Sequence, residues 1–268
     1  MNKQIQLHNE KAAVMWGSGG RAYDDVSRFI AEGIEHCVLR LAPKPGERVL
    51  DIATGTGWTS RRVAEHGAKV IGIDISEGML DAAREIASER RFEIDYRLAD
   101  AEALPFEDGA FDAVISTCGV MFAGDRGAAA AELARVCRKG GRVALMTWTP
   151  DSNAAGLRTI LAPFIPPPPA SQPTPFDWGR PEWLQESLGA AFELGFETGT
   201  LFHRTSDAEA AVEVFAAGFG PVKAVLDSLD QEQRKSAKTA LLKFHEPFGD
   251  GIGISVPYNY LIAAGIRR

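Results

Sequence analysis

The chain has 268 residues, of which 45% are hydrophobic, so it can form one large α/β core with an added cap. A formal net charge of −7 argues against a nucleic-acid partner, because phosphate binding usually requires a basic surface. Its three cysteines have no metal-ligand spacing and predict neither a metal site nor a disulfide framework. The N-terminal segment lacks a signal-peptide core and no run reaches membrane-spanning length, so we expect a cytoplasmic protein.

Strands and helices alternate from residue 47 to residue 149. Apolar or alternating runs predict five strands, in "ERVLDIA", "AKVIGIDIS", "FEIDYRLAD", "FDAVISTCGV" and "GRVALMTW". The intervening "GWTSRRVAEHG" and "RGAAAAELARVCRKGG" predict helices, the second capped by Asp125. Repeated strand–helix units with apolar strands indicate a parallel sheet covered by helices on both faces.

Beyond residue 149 the pattern changes. Seven prolines from Pro163 to Pro175 predict either a stiff surface connector or an insertion that lines a pocket. A strand or hairpin is predicted at 192–206, and two amphipathic helices at 207–246. Pro257 predicts that the last strand lies at an edge or a bulge. The first forty residues read as mostly helical.

Acidic residues end the first three predicted strands. Asp51 is followed by a loop that contains Gly55 and Gly57, Asp74 comes 23 residues after Asp51, and Asp100 comes 26 residues after Asp74. Glycines there let the backbone approach a ligand, and ligands bind at this edge of open α/β sheets. An acid at this spacing can accept hydrogen bonds from ribose hydroxyls, and Asp100 could read an adenine amino group. Taken singly, each residue can also be an ordinary turn or capping residue.

The loop departs from the dinucleotide fingerprint, because Ser60 occupies the position of its third glycine. Three acids would also repel a diphosphate. A cationic sulfonium attached to adenosine suits such a site better.

The stretches "VLDIATGTG", "GIDIS", "ADAEALPF", "FDAVIS" and "ELARVCRKGGRVAL" resemble class I S-adenosylmethionine-dependent methyltransferases, in particular the small-molecule branch with ubiquinone/menaquinone-type C-methyltransferases. The resemblance covers about residues 47–149. It implies a Rossmann-like, seven-stranded, mostly parallel sheet with a cofactor-binding core at 41–150. It also implies an N-terminal helical lid at 1–40, and a helical cap inserted before the last strand within 151–268.

The resemblance implies S-adenosylmethionine as cofactor and in-line methyl transfer to oxygen, nitrogen or carbon of a small acceptor. The implied cofactor contacts lie in the glycine loop, the strand ends and the lid: Trp16, Arg21, Tyr23, Asp51, Ala53, Thr54, Gly55, Gly57, Asp74, Ile75, Met79, Asp100, Ala101, Ser116 and Thr117. Among these, Asp74 would hold the ribose, and Arg21 or Tyr23 would meet the methionine carboxylate. Core packing is the alternative role for Trp16 and Tyr23. The family usually has glycine at Ala53, whose methyl group is tolerated if φ is negative.

A general base is needed only if the acceptor must lose a proton. His203, His245 and Tyr258 are the candidates, each with a structural role as the alternative. Aromatic residues that could cap the strand ends favour a small-molecule partner: Phe122, Phe164, Phe176, Trp178, Phe202, Phe215 and Phe219. The segment 207–245 is a candidate homodimer surface. A non-catalytic S-adenosylmethionine-binding protein, a nicotinamide-dependent oxidoreductase and a macromolecular methyltransferase stay open as alternatives.

Overall fold

The structure, a computed structural model, describes residues 5–165 and 174–268 and is built around one sheet. Its strands are β1 Arg48–Ile52, β2 Lys69–Asp74, β3 Asp95–Leu98, β4 Phe111–Thr117, β5 Cys137–Trp148, β6 Phe192–Thr205 and β7 Ile254–Arg267. The seven strands lie in the order β3-β2-β1-β4-β5-β7-β6. The first five are parallel, and β7 runs antiparallel to both of its neighbours. The predicted mostly parallel, seven-stranded α/β fold is thereby confirmed.

The α-helices of the described residues precede the sheet, connect its strands or follow β6. They are α1 Glu10–Gly17, α2 Tyr23–Phe29, α3 Ala31–Leu41, α4 Trp58–Glu65, α5 Glu77–Glu89, α6 Arg126–Val136, α7 Asn153–Leu161, α8 Pro181–Leu188, α9 Ala208–Gly218, α10 Gly220–Ser228 and α11 Gln231–His245. Most of the proline-rich stretch, at 166–173, lies outside the described residues, so the two predictions for it stay open. Within 5–165 and 174–268, no helix combines the length and apolarity needed to cross a membrane.

The central strands are buried on both faces because helices cover them. In β1 the residues from Val49 to Ile52, including Asp51, are all inaccessible to solvent. Helix α3 packs against β4, β5, β6 and β7. Helices α6 and α8 pack against each other, and they contact β5 and the pair β6 and β7, respectively. This two-sided burial explains why the strands read as continuous apolar runs rather than as alternating ones.

Two boundaries differ from the sequence prediction. Asp125 caps α6 by accepting from the Ala128 N–H, but the helix ends at Val136 because Cys137 is already extended, and β5 begins there. The two helices predicted after β6 are three, since Asp230 caps a new helix by accepting from the Gln233 N–H. The segment 192–206, predicted as a strand or a hairpin, forms one strand, Phe192–Thr205.

The last strand is an internal strand of the sheet, so the expectation of an edge was wrong for β7 as a whole. Its pairing with β5 runs only from Tyr260 to Ile266. Pro257 lies in the part that pairs with β6 alone. The proline therefore sits where no ladder bond toward β5 is lost.

The helices before β1 contact the helices that follow β6. Helix α2 packs on α9, and α1 packs on α10. Buried Arg61 of α4 forms an ion pair with Asp24 of α2 at 3.1 Å and donates to the Thr56 carbonyl oxygen at 2.6 Å. The N-terminal helices are thus bonded to the loop after β1 and packed against the C-terminal helices.

Candidate functional site

A cleft of about 830 Å³, counted out to open solvent, lies at the carboxyl ends of β1 to β4. We call it the strand-end cleft. Its lining residues come from the N-terminal helices and from the loops after these strands: Asn9, Trp16, Tyr23, Ser27, Ile30, Ile34, Ala53, Thr54, Gly55, Trp58, Thr59, Asp74, Ile75, Met79, Asp100, Ala101, Thr117, Cys118, Gly119, Val120, Phe122 and Ala123. Since the strands are parallel and adjacent, their carboxyl ends converge there.

The loop after β1 needs left-handed backbone at three positions. Gly55 has a φ of 57° and Gly57 a φ of 79°. A Cβ at Gly55 would lie 3.3 Å from Cε1 of Tyr23, so the Tyr23 ring packs directly over the loop. Ala53 also has a positive φ, 56°, so the condition under which its methyl group was expected to be tolerated, a negative φ, is not met. The alanine is therefore held in a conformation that glycine adopts more easily.

Asp74 bridges the ends of β1 and β2. Its Oδ2 accepts from the Gly55 N–H at 2.9 Å, and its Oδ1 accepts from the Ser76 N–H at 3.0 Å. The residue is only 7% exposed, and this burial raises the pKa of its carboxyl to about 6. The carboxylate is thus fixed in direction and retains lone pairs for a ligand in the cleft.

Asp51 points into the protein rather than into the cleft. Its Oδ2 accepts from the Thr54 hydroxyl at 2.6 Å and from the Ser60 hydroxyl at 2.7 Å. Burial raises its pKa to about 6, and its Oδ1 is buried without a hydrogen bond in the described part of the chain. Asp51 therefore organises the glycine loop from beneath and does not line the cleft.

Asp100 is held by a segment that the sequence did not connect with it. Its Oδ2 accepts from the Asn9 side-chain amide at 2.9 Å and from the Gln6 N–H at 3.0 Å. The same Asn9 amide donates to Glu102 Oε1 at 2.8 Å, and His8 lies 2.6 Å from Glu102 Oε2. Residues 6–9 are consequently fastened to the end of β3 and form one side of the cleft.

Most residues predicted as cofactor contacts lie together in this cleft. Those that line it are Trp16, Tyr23, Ala53, Thr54, Gly55, Asp74, Ile75, Met79, Asp100, Ala101 and Thr117. Ser116 lies beneath it, where its hydroxyl donates to the Ile52 carbonyl oxygen at 2.7 Å. A Cβ at Gly57 would lie 2.2 Å from Tyr96 Oη, so glycine at this position lets the loop backbone pack closely against the Tyr96 side chain.

Arg21 lies away from the cleft. Its guanidinium pairs with Glu85 at 3.1 Å and with Glu89 at 2.7 Å on the surface of α5. These contacts leave no role for Arg21 in the cleft in this structure.

Several lining residues were not predicted. Asn9 is held in the cleft by its hydrogen bond to Asp100, which lies 91 residues further along the chain. No local sequence pattern predicts such a contact. Trp58 directly follows Gly57 and is the first residue of α4. Its position next to the glycine loop could have predicted that it lines the cleft.

A second cavity of about 1460 Å³, again counted out to solvent, adjoins the cleft. We call it the apolar chamber. Helices α1, α2, α7, α9 and α10 supply most of its lining: Ala12, Met15, Trp16, Tyr23, Val26, Phe29, Ile30, Cys118, Phe122, Trp148, Ala154, Leu157, Arg158, Leu161, Ile165, Pro175, Phe176, Phe215, Phe219, Pro221, Val222, Val225 and Tyr258. Four of the predicted capping aromatics are among them, whereas Phe164, Trp178 and Phe202 are not.

The three predicted base candidates occupy different positions. Tyr258 lines the apolar chamber, whereas His203 and His245 line neither cavity. His203 packs behind Phe29 at a ring distance of 4.9 Å, and burial lowers its pKa to about 4. The His245 Nδ1 lies 2.7 Å from the Leu241 carbonyl oxygen, and burial lowers its pKa. Both histidines are therefore neutral at pH 7 and sit behind the cavity walls.

The two cavities share five lining residues: Trp16, Tyr23, Ile30, Cys118 and Phe122. Trp16 packs against Phe122 at 4.9 Å and against Tyr23 at 6.3 Å. On the cleft side, Asp74 and Asp100 are the charged lining residues, and no Lys, Arg or His of the described chain lines it. Carboxylates and aromatic rings together suit a cationic ligand that carries hydroxyl and amino groups.

Comparisons with known proteins agree with this geometry. A family model described as "Methyltransferase domain" matches residues 50–145. The chain is 32% identical over 197 residues to a demethylmenaquinone methyltransferase of Beutenbergia cavernae, a match that covers 69% of this chain and 78% of that protein. It is 38% identical over 180 residues to an uncharacterized protein of Mycobacterium tuberculosis, which covers 66% of this chain and 65% of that one. The match thus spans less than two thirds of this mycobacterial relative.

Among solved structures, the YcgJ protein of Bacillus subtilis superposes with a TM-score of 0.60 at 20% identity, covering 88% of this chain and 98% of that one. At this identity the likeness concerns the fold.

Proposed function

The chain belongs to the class I S-adenosylmethionine-dependent methyltransferases, and we propose that it transfers the methyl group of this cofactor to a small organic acceptor. The observation that carries the proposal is the wall shared by the strand-end cleft and the apolar chamber. A molecule in the chamber and a cofactor in the cleft would meet at Cys118 and the ring of Trp16.

We assign cofactor binding to the strand-end cleft. The carboxylates of Asp74 and Asp100 are suited to accept hydrogen bonds from ribose hydroxyls and the adenine amino group. The rings of Trp16, Tyr23 and Phe122 would attract a sulfonium by cation–π interaction. When bound, S-adenosylmethionine supplies an electrophilic methyl group on a positively charged sulfur.

The contribution of this chain to the reaction is positioning and exclusion of water. Aligning the acceptor with the sulfur–methyl bond removes the entropic cost of encounter, and the apolar wall keeps water from competing. Burial raises the pKa of the Cys118 thiol and of the Tyr258 hydroxyl, so both groups stay protonated at neutral pH. The proposal therefore favours an acceptor atom that is nucleophilic without a strong base.

The N-terminal segment 1–40 would serve as the lid, and α9 and α10 would form part of the substrate cap, because α1, α2, α9 and α10 contribute to the chamber wall. We also propose a cytoplasmic location. It is supported by Cys37, Cys118 and Cys137, which are free thiols in the described structure.

Calorimetry together with a methyl-transfer assay tests the proposal. We expect S-adenosylhomocysteine to bind with a one-to-one stoichiometry and NADH to give no heat. Tritiated methyl from S-adenosylmethionine should appear in an apolar member of a small-molecule panel. Absence of heat with S-adenosylhomocysteine would refute the proposal. Binding without transfer to any member of a broad panel would support a non-catalytic binding protein instead.

A further inference from the structure

The apolar chamber has a single charged residue in its described lining. Arg158 of α7 lines it, whereas no Asp, Glu, Lys or His of residues 5–165 and 174–268 does. Arg158 is also an exposed residue, so it marks where the chamber reaches solvent. An arginine can pack its stem along an apolar wall while its guanidinium stays in water. The chamber therefore carries one positive charge, and this charge belongs to its opening.

The charge of Arg158 has no counter-ion in this sequence. Other arginines pair with acids, as Arg62 does with Glu35 at 2.6 Å and Arg138 with Asp112 at 2.7 Å. Arg158 forms neither an ion pair nor a side-chain hydrogen bond with the residues that the structure describes. The remaining residues, 1–4 and 166–173, include no Asp or Glu. The guanidinium is therefore available to an anion that is not part of the chain.

The two cavities carry charges of opposite sign. Asp74 and Asp100 line the strand-end cleft and not the chamber, whereas Arg158 lines the chamber and not the cleft. Complementary charges favour the matching ligand and disfavour the other one. A cationic cofactor is thus directed to the cleft, and a molecule with a negative group is directed to the chamber.

The position of Arg158 also separates recognition from chemistry. In the proposed reaction the methyl group would pass at the wall that both cavities share, which contains Trp16 and Cys118. Arg158 does not belong to that shared wall. A group held by Arg158 is therefore a different part of the acceptor from the atom that receives the methyl group.

We propose that the apolar chamber binds an amphipathic acceptor, whose apolar body fills the chamber and whose single carboxylate pairs with Arg158 at the opening. This inference rests on the proposed function, since it names the class of molecule that the cofactor would meet. A carboxylate matches the planar donor pair of a guanidinium, and one arginine balances one negative charge. A phosphate monoester, with a charge nearer −2, fits a lone arginine less well. Arg158 is then a specificity-determining residue, and the carboxylate is not the group that is methylated.

The test compares probes that share one ring system and differ in one group: 2-naphthoate, 2-naphthamide and 2-naphthyl phosphate. Each is measured by equilibrium dialysis against the full-length protein saturated with S-adenosylhomocysteine. The wild type should bind 2-naphthoate about tenfold more tightly than 2-naphthamide, and 2-naphthyl phosphate no more tightly than 2-naphthoate. An ionic strength of about 0.5 M should reduce the preference for the carboxylate, because the pair is exposed to solvent.

Three variants isolate the role of the guanidinium. In Arg158→Gln the preference for 2-naphthoate over 2-naphthamide should fall to about one, whereas Arg158→Lys should keep part of it, because the charge remains without the paired donors. Lys139→Gln is the matched control for net charge. Lys139 is exposed near the start of β5, at the opposite edge of the sheet from the strand ends, and it does not line the chamber. This control should keep the wild-type preference.

The outcomes separate this inference from the proposed function. Equal affinity of the wild type for 2-naphthoate and 2-naphthamide would overturn the inference, and so would a preference that survives Arg158→Gln. Tighter binding of 2-naphthyl phosphate than of 2-naphthoate would overturn the assignment to a carboxylate. Arg158→Gln should bind S-adenosylhomocysteine and melt like the wild type, because Arg158 has no partner to lose. Failure of S-adenosylhomocysteine to bind the wild type would instead refute the proposed function.

Discussion

The backbone N–H of Gly55 donates to Oδ2 of Asp74 at 2.9 Å, so the loop after β1 is bonded to the carboxylate that ends β2. One side chain thereby sets both the shape of the glycine loop and the position of a negative charge in the strand-end cleft. Loop conformation and ligand affinity are coupled through it.

Replacing Asp74 with asparagine should weaken cofactor binding strongly. The variant loses the negative charge and one of two acceptor oxygens, which corresponds to about 10- to 100-fold in affinity for S-adenosylmethionine. Calorimetry on the purified variant measures this change. Asp81→Asn is the control, since the Asp81 side chain is exposed on α5 and forms an ion pair with Arg84. Unchanged affinity in Asp74→Asn would remove this residue from the cofactor site.

The stability of the protein should carry a pH dependence that comes from Asp74. Burial raises its folded-state pKa to about 6, above an unfolded value of about 4. The stabilisation is therefore present below the unfolded pKa and is lost as the pH rises through about 6. Between pH 5 and pH 8 the wild type should lose roughly 1.5 kcal/mol relative to Asp74→Asn. Urea unfolding of both proteins at the two pH values measures the difference, and a constant difference would contradict the assignment.

Removing the Asn9 side-chain amide should loosen the N-terminal segment. In Asn9→Ala, Asp100 and Glu102 lose the donor that they share, and two buried carboxylates are left facing each other. We expect a loss of about 1–3 kcal/mol in stability and weaker binding of S-adenosylhomocysteine. Lys11→Ala on the same N-terminal segment is the exposed control. Glu102→Gln in the Asn9→Ala background should restore part of the loss, and a double variant no better than Asn9→Ala would argue against carboxylate repulsion.

Ala53→Gly should not destabilise the protein, although most core substitutions do. The left-handed conformation costs a non-glycine residue about 1–2 kcal/mol, and glycine loses about 0.5–1 kcal/mol more backbone entropy on folding. The expected balance is a gain of about 0.5 kcal/mol, measured by urea unfolding. Ala42→Gly is the matched comparison, because Ala42 has a φ of 51° at the end of α3, outside the cleft. A loss above 1 kcal/mol in Ala53→Gly alone would show that its methyl group packs favourably.

The arrangement of the first five strands followed from the sequence because local patterns encode it. Apolar runs ended by Asp51, Asp74 and Asp100 predicted adjacent parallel strands, and in such a sheet all strand ends share one edge. The direction of a side chain at that edge is less local. Asp51 turns inward because Thr54 and Ser60 offer it hydroxyl donors from the loop and from α4.

Long-range contacts account for what the sequence did not predict. The insertion of β7 between β5 and β6 depends on pairing across the whole C-terminal half, and nothing local in Pro257 reveals it. The family resemblance offered Arg21 or Tyr23 for the methionine carboxylate, yet two glutamates on α5 compete for the Arg21 guanidinium. Asn9 carried no motif because its partners lie at the far end of β3.

The wall common to the two cavities includes Trp16 and Tyr23, which belong to helices that precede the sheet. A displacement of these helices that released spent cofactor would also expose the chamber to bulk water. Methylated product and S-adenosylhomocysteine are therefore expected to depart during a single opening event, and the frequency of that event would set the upper bound on turnover.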